Sequence, residues 1–148
     1  MDALAFRKTA ITVGWTKENF IGAEILINGK SLTALVYDIE KPQAMAEGRP
    51  DAADGYGEQV AEHLYRQLIG EYIVYEEKGI GLLTCAGCLE DGCRGFFGQV
   101  GEVGDEIIWN HFMTPHRAWD YSALGEFHFD KKQYNEELSR LRTFFQDE

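Results

Sequence analysis

The chain has 148 residues, 45% of them hydrophobic and 26% charged, with a formal net charge of −11; that suits one domain, residues 1–148, built on one core. So acidic a surface repels phosphate backbones and anionic lipid, which argues against nucleic acid and membrane surfaces and leaves a basic protein partner or plain solubility as the readings of the charge. No apolar run approaches the roughly 20 residues of a membrane span, and three cysteines are an odd number and too few for a disulfide framework, so a reducing cytoplasm is expected.

MDALAFRKTA carries an acid at once and does not read as a signal peptide. Ala10 to Trp15 is expected to form a strand pairing with Ala23 to Ile27, a β-branched run closed by the turn signal Asn28-Gly29. Ser31 then caps a helix whose stripe is Leu32, Leu35, Val36 and Ile39, and Pro42 is expected to end it. Ala44 to Gln59 has glycine and proline punctuators without a period and reads as a long surface loop. Ala61, Leu64, Tyr65 and Leu68 mark a second helix ending near Gly70, with His63 beside the stripe.

Ile80 to Thr84 reads as a strand running into a glycine-rich cysteine segment. Phe96–Val103 and Glu106–Phe112 form an expected hairpin about Gly104-Asp105, with Val100 opposite Trp109. HFMTPHRAWDYSALGEFHF is expected to be an irregular, aromatic crossing. In the last helix, Asp130 and Gln133 make a capping box and Tyr134, Leu138, Leu141 and Phe145 a buried stripe. Lys131, Glu137 and Gln146 should face water, and Glu136 and Arg140 should pair. The sum is an α+β fold, a mainly antiparallel sheet with helices on one face, and Trp15, Trp109 and Trp119 in or beside the core.

All three cysteines fall in LLTCAGCLEDGCRGFF. Cys85-x-x-Cys88 has the spacing of one zinc knuckle, and Cys93 could be a third ligand. Extending the hairpin register puts Gly98 opposite His111 and Cys93 near His116, which makes His116 the best fourth ligand and His111 the second. A redox pair would open a helix, whereas the acids Glu90 and Asp91 follow here and raise a thiol pKa. Structural zinc, ordinary reduced thiols and a reactive thiol all stay open.

Cys88 or Cys93 with His116 would outline a thiol hydrolase. The plainer reading makes His111 a core histidine beside Ile107 and Trp109, has Arg117 pair with Asp120, and treats Arg117, Trp119, Asp120 and Tyr121 as a binding or packing segment. No GxGxxG, P-loop, GxSxG or HExxH pattern occurs, so nothing implies an organic cofactor.

Through ILINGKSL, LLTCAGCLEDGC and WNHF…PHRAWDYSALGEFHFDKKQY the chain resembles a group of small uncharacterised bacterial proteins. The resemblance implies no catalytic residue; it implies a bacterial cytoplasmic setting and joins the cysteine and PHRAWDY segments into one structural feature. The functional expectation is a small acidic interaction module, of the immunity or inhibitor type, with one structural zinc on Cys85, Cys88, Cys93 and His116; a cysteine–histidine hydrolase is the alternative.

Overall fold

The computed structural model describes residues 1–12, 17–49, 56–71, 79–85, 95–115 and 117–146. Along the chain these give β1 (Leu4–Thr12), β2 (Asn19–Ile27), β3 (Lys30–Ser31), α1 (Leu32–Ala46), β4 (Tyr56–Val60), α2 (Ala61–Leu68), β5 (Ile80–Cys85), β6 (Phe96–Val103), β7 (Glu106–Met113), a 3-10 turn (Ser122–Leu124), β8 (Phe127–Asp130) and α3 (Lys131–Thr143). The strands form one sheet in the order β1-β2-β4-β5-β6-β7-β8, with β3 on β2, and every ladder is antiparallel. The fold is α+β, as the alternation of patterns predicts.

Strand alternation sends Leu4 and Phe6 of β1, and Ala23, Ile25 and Ile27 of β2, to the buried face, where they meet the helices. Trp109 is fully buried at its centre, its indole N–H donating to the Tyr134 hydroxyl at 3.1 Å and its ring edge-on to Phe129. Trp119 packs half-buried at the core edge, and Trp15 lies outside the described residues.

Part of each sheet edge is covered. On β1, Gln133 of α3 receives the Leu4 N–H at 3.3 Å and donates to the Leu4 carbonyl at 2.7 Å. Glu137 accepts the Phe6 N–H at 3.1 Å, and Arg140 donates to the Phe6 carbonyl. The helix thereby offers side-chain groups where another strand would offer backbone, which blunts an edge prone to wrong pairing. Asp2, just before β1, makes a parallel bridge to Phe129 of β8, so the two ends of the strand path meet.

Several local expectations change. β1 starts at Leu4, and Ala10 pairs with Ile21, while Ala23 to Ile27 pair with Lys8 to Leu4. Pro42 lies inside α1, not at its end. Pro42 has no N–H to offer the Asp38 carbonyl, both residues are exposed, and Ala44 beyond them is buried. The expected loop from Ala44 therefore shrinks: α1 runs to Ala46 and β4 begins at Tyr56. Ser31 stands at the helix N-cap without a side-chain cap bond.

The aromatic crossing contains β8, four residues paired with β7. In α3 the Asp130 side chain does cap the Gln133 N–H at 3.0 Å. The Gln133 side chain serves β1 instead of closing the box. Glu137 bonds β1 and pairs with Arg140, which displaces the expected Glu136–Arg140 pair. Phe144 is buried and Phe145 only partly so, because the chain leaves α3 at Thr143.

Candidate functional site

The hairpin β6–β7 holds its expected register from Val103↔Glu106 through Val100↔Trp109 to Gln99↔Asn110, then slips to Phe97↔Met113. The slip is a bulge at His111, whose φ of 52° is left-handed. Gly98 accordingly does not pair with His111 in the continued register, and His111 is exposed rather than a core residue on the face of Ile107 and Trp109. The extra residue turns Phe112 over Gly98, where a Cβ would come within 2.9 Å of its ring, and stacks it on Phe96 at 5.6 Å.

Beyond β7 the chain reverses: Thr114 bridges Arg117. Arg117 does not pair with Asp120. It donates to Glu47 at 3.1 Å and lies 4.8 Å from the Trp119 ring, whose own N–H also goes to Glu47. Gln43 of α1 clamps the backbone of Asp120, donating to its carbonyl at 2.9 Å and accepting its N–H at 2.8 Å. The Asp120 carboxylate accepts the Ser122 N–H at 2.8 Å, which holds its pKa below the ordinary value.

Beneath this segment is a buried polar cluster. Glu40 of α1 is fully buried, and its Oε2 accepts the Tyr121 hydroxyl at 2.5 Å and the Tyr56 hydroxyl at 2.8 Å. Tyr56 Oη also lies 3.1 Å from Thr114 Oγ1, and Thr114 donates its own proton to the Gly95 carbonyl at 2.7 Å. The single Tyr56 proton thus serves either Glu40 or Thr114. Burial, together with the Glu40 carboxylate, pushes both phenols well above the ordinary tyrosine range, so both stay protonated donors.

The cluster sits where the cysteine segment leaves and rejoins the sheet. Tyr56 is the register partner of Cys85, the last residue of β5, and Gly95 immediately precedes β6. Cys88, Cys93 and His116, named above as metal ligands or as a hydrolase pair, lie outside the described residues. Among the described residues no group of three metal-ligating side chains occurs.

Above the cluster opens a groove of about 500 Å³. Phe112, Trp119 and Tyr121 give it an aromatic lining, and Asp120, Glu126 and His111 stand exposed around it. Glu126 accepts from Asn110 at 2.9 Å and lies 3.2 Å from His128 Nε2; Asn110 first, then His128, lowers its pKa. A groove at the other end of the hairpin, lined by Asp105, Lys131, Lys132 and Glu136, mixes both signs of charge and has no aromatic side chain among the described residues.

Trp119, Asp120 and Tyr121 all line this groove, and Arg117 braces Trp119 from Glu47. Sequence reasoning missed Glu40, Gln43, Tyr56, Thr114 and Glu126. One signal was present: Leu32, Val36, Glu40 and Ala44, spaced four apart, place an acid on a buried stripe. Compared with protein-family models, curated proteins and solved structures, the chain finds no match.

Proposed function

We propose that the protein is a small acidic interaction module that receives a cationic side chain of a basic protein partner in the groove beside Trp119, in the manner of an inhibitor or immunity protein covering its target. The observation that carries this reading is the meeting of aromatic side chains, Trp119 among them, with exposed carboxylates, Asp120 and Glu126, in one groove of a chain with net charge −11. Aromatic faces attract cations, carboxylates pair with them, and the wider negative field speeds the encounter. Among the described residues no helix is long and apolar enough to cross a membrane, and the odd cysteine count supports a reducing cytoplasm as the setting.

The cysteine segment completes the proposal as a structural zinc site on Cys85, Cys88, Cys93 and His116. Its support is topological: the Tyr56–Thr114–Gly95 bonds tie together the two ends of the cysteine segment and the residue before Pro115-His116. Protein purified without chelator should carry one zinc per chain and thiols that react only after denaturation. A metal-free protein with fast native thiols would remove zinc from the proposal.

Calorimetric titration with a short oligoarginine peptide tests the groove. Trp119→Ala and Asp120→Asn should each weaken binding roughly three- to tenfold. Asp105→Asn, an equal loss of charge at the far end of the hairpin, should have little effect. Equal losses for Asp120→Asn and Asp105→Asn would mean unspecific attraction and overturn the groove as the site.

A further inference from the structure

His128 is placed on β8 between two carboxylates. Its Nδ1 lies 2.9 Å from Glu106 Oε1 on β7, and its Nε2 lies 3.2 Å from Glu126 Oε1, just before β8. Its backbone N–H donates to Asp2 Oδ2 at 2.8 Å. Glu106, Glu126 and Asp2 are the charged groups that face it among the described residues, and His111 acts on Glu126 from β7. Glu126 therefore belongs to two arrangements at once, the His128 pair and the rim of the groove.

We propose that His128 makes cation binding in this groove pH-dependent by holding Glu126 when doubly protonated and releasing it when neutral. The inference rests on the groove reading above. The imidazolium has two N–H donors for two carboxylates. Neutral imidazole has one, so it can satisfy one carboxylate and must turn a lone pair on the other. The closer contact, to Glu106, keeps the proton on Nδ1. Nε2 then repels Glu126, which retains Asn110 and offers its full charge to the groove. The bonds to Glu106 and then to Glu126 hold the His128 pKa above the ordinary histidine value, so the transition lies on the alkaline side of a free imidazole's.

The test is calorimetry of the full chain with the oligoarginine peptide from about pH 5.5 to about pH 9, the span over which imidazole titrates, at constant ionic strength. The native chain should bind roughly two- to fivefold more tightly at the alkaline end, the scale of one exposed ion pair. His128→Gln and His128→Asn should both flatten that profile, while His63→Asn, on α2 and not among the groove's lining residues, should retain it. The slope that both His128 variants lose belongs to His128. Tight binding with a slope unchanged in His128→Gln and His128→Asn would overturn the switch and leave the groove intact. Failure of the peptide to bind at any pH would overturn the groove reading and the switch with it.

Discussion

A carboxylate buried with two phenols is costly unless both donors stay in place. Glu40 is fully buried against Tyr121 and Tyr56, and through Thr114 the same cluster reaches the Gly95 carbonyl. Tyr121→Phe deletes one donor and keeps the ring, which meets Phe96 edge-on at 5.2 Å. The expected loss is about 1.5–3 kcal/mol, the worth of a hydrogen bond to a charged group, read by urea denaturation. A loss under about 0.5 kcal/mol would show that the Tyr121 hydroxyl is not what compensates Glu40. The stripe of α1 hints at a buried acid, but its partners are not legible in the sequence, because Glu40 and Tyr121 are 81 positions apart and only the packing of α1 under the aromatic segment joins them.

At the scale of an element, α3 does two jobs with two faces. Tyr134, Leu138 and Leu141 are buried, while Gln133, Glu137 and Arg140 cover the edge of β1. Leu138 is 8% exposed, so Leu138→Ala should cost about 2–5 kcal/mol in denaturant unfolding. A change under about 1 kcal/mol would mean that the helix is peripheral to the core. The buried stripe was legible because a 3.6-residue period needs no tertiary information. The edge-covering face was not, since polar residues on a helix read as a wet face until a strand with free backbone groups is laid beside them.

For the whole molecule, the balance of 25 acidic against 14 basic residues sets both self-repulsion and the attraction for a basic partner. Raising ionic strength from about 0.01 M to about 0.15 M shortens the screening length from about 30 Å to about 8 Å. Thermal stability should rise as repulsion is relieved, while affinity for oligoarginine falls. Differential scanning fluorimetry and calorimetry across one salt series check both signs. A melting temperature that falls with salt would mean that surface pairs such as Arg66 with Glu62 and Glu71 outweigh the repulsion.

The sequence by itself determined what local period and turn chemistry can specify. The β6–β7 hairpin and its Val100↔Trp109 pairing follow from alternation about Gly104-Asp105, α2 from its stripe and Gly70, and the start of α3 from the Asp130 cap. Tertiary structure decided what depends on a neighbour. Pro42 stays inside α1 because the turn it disrupts faces water. The four residues of β8 are a strand because β7 offers them an edge. The His111 bulge puts one more residue on β7 than β6 can pair, turning Phe112 inward over Gly98 and leaving His111 exposed at the groove. The groove joins residues from β7 and from the segment after Thr114, and Glu40 beneath it comes from α1. A pattern read along one segment carries no information about which others pack on it.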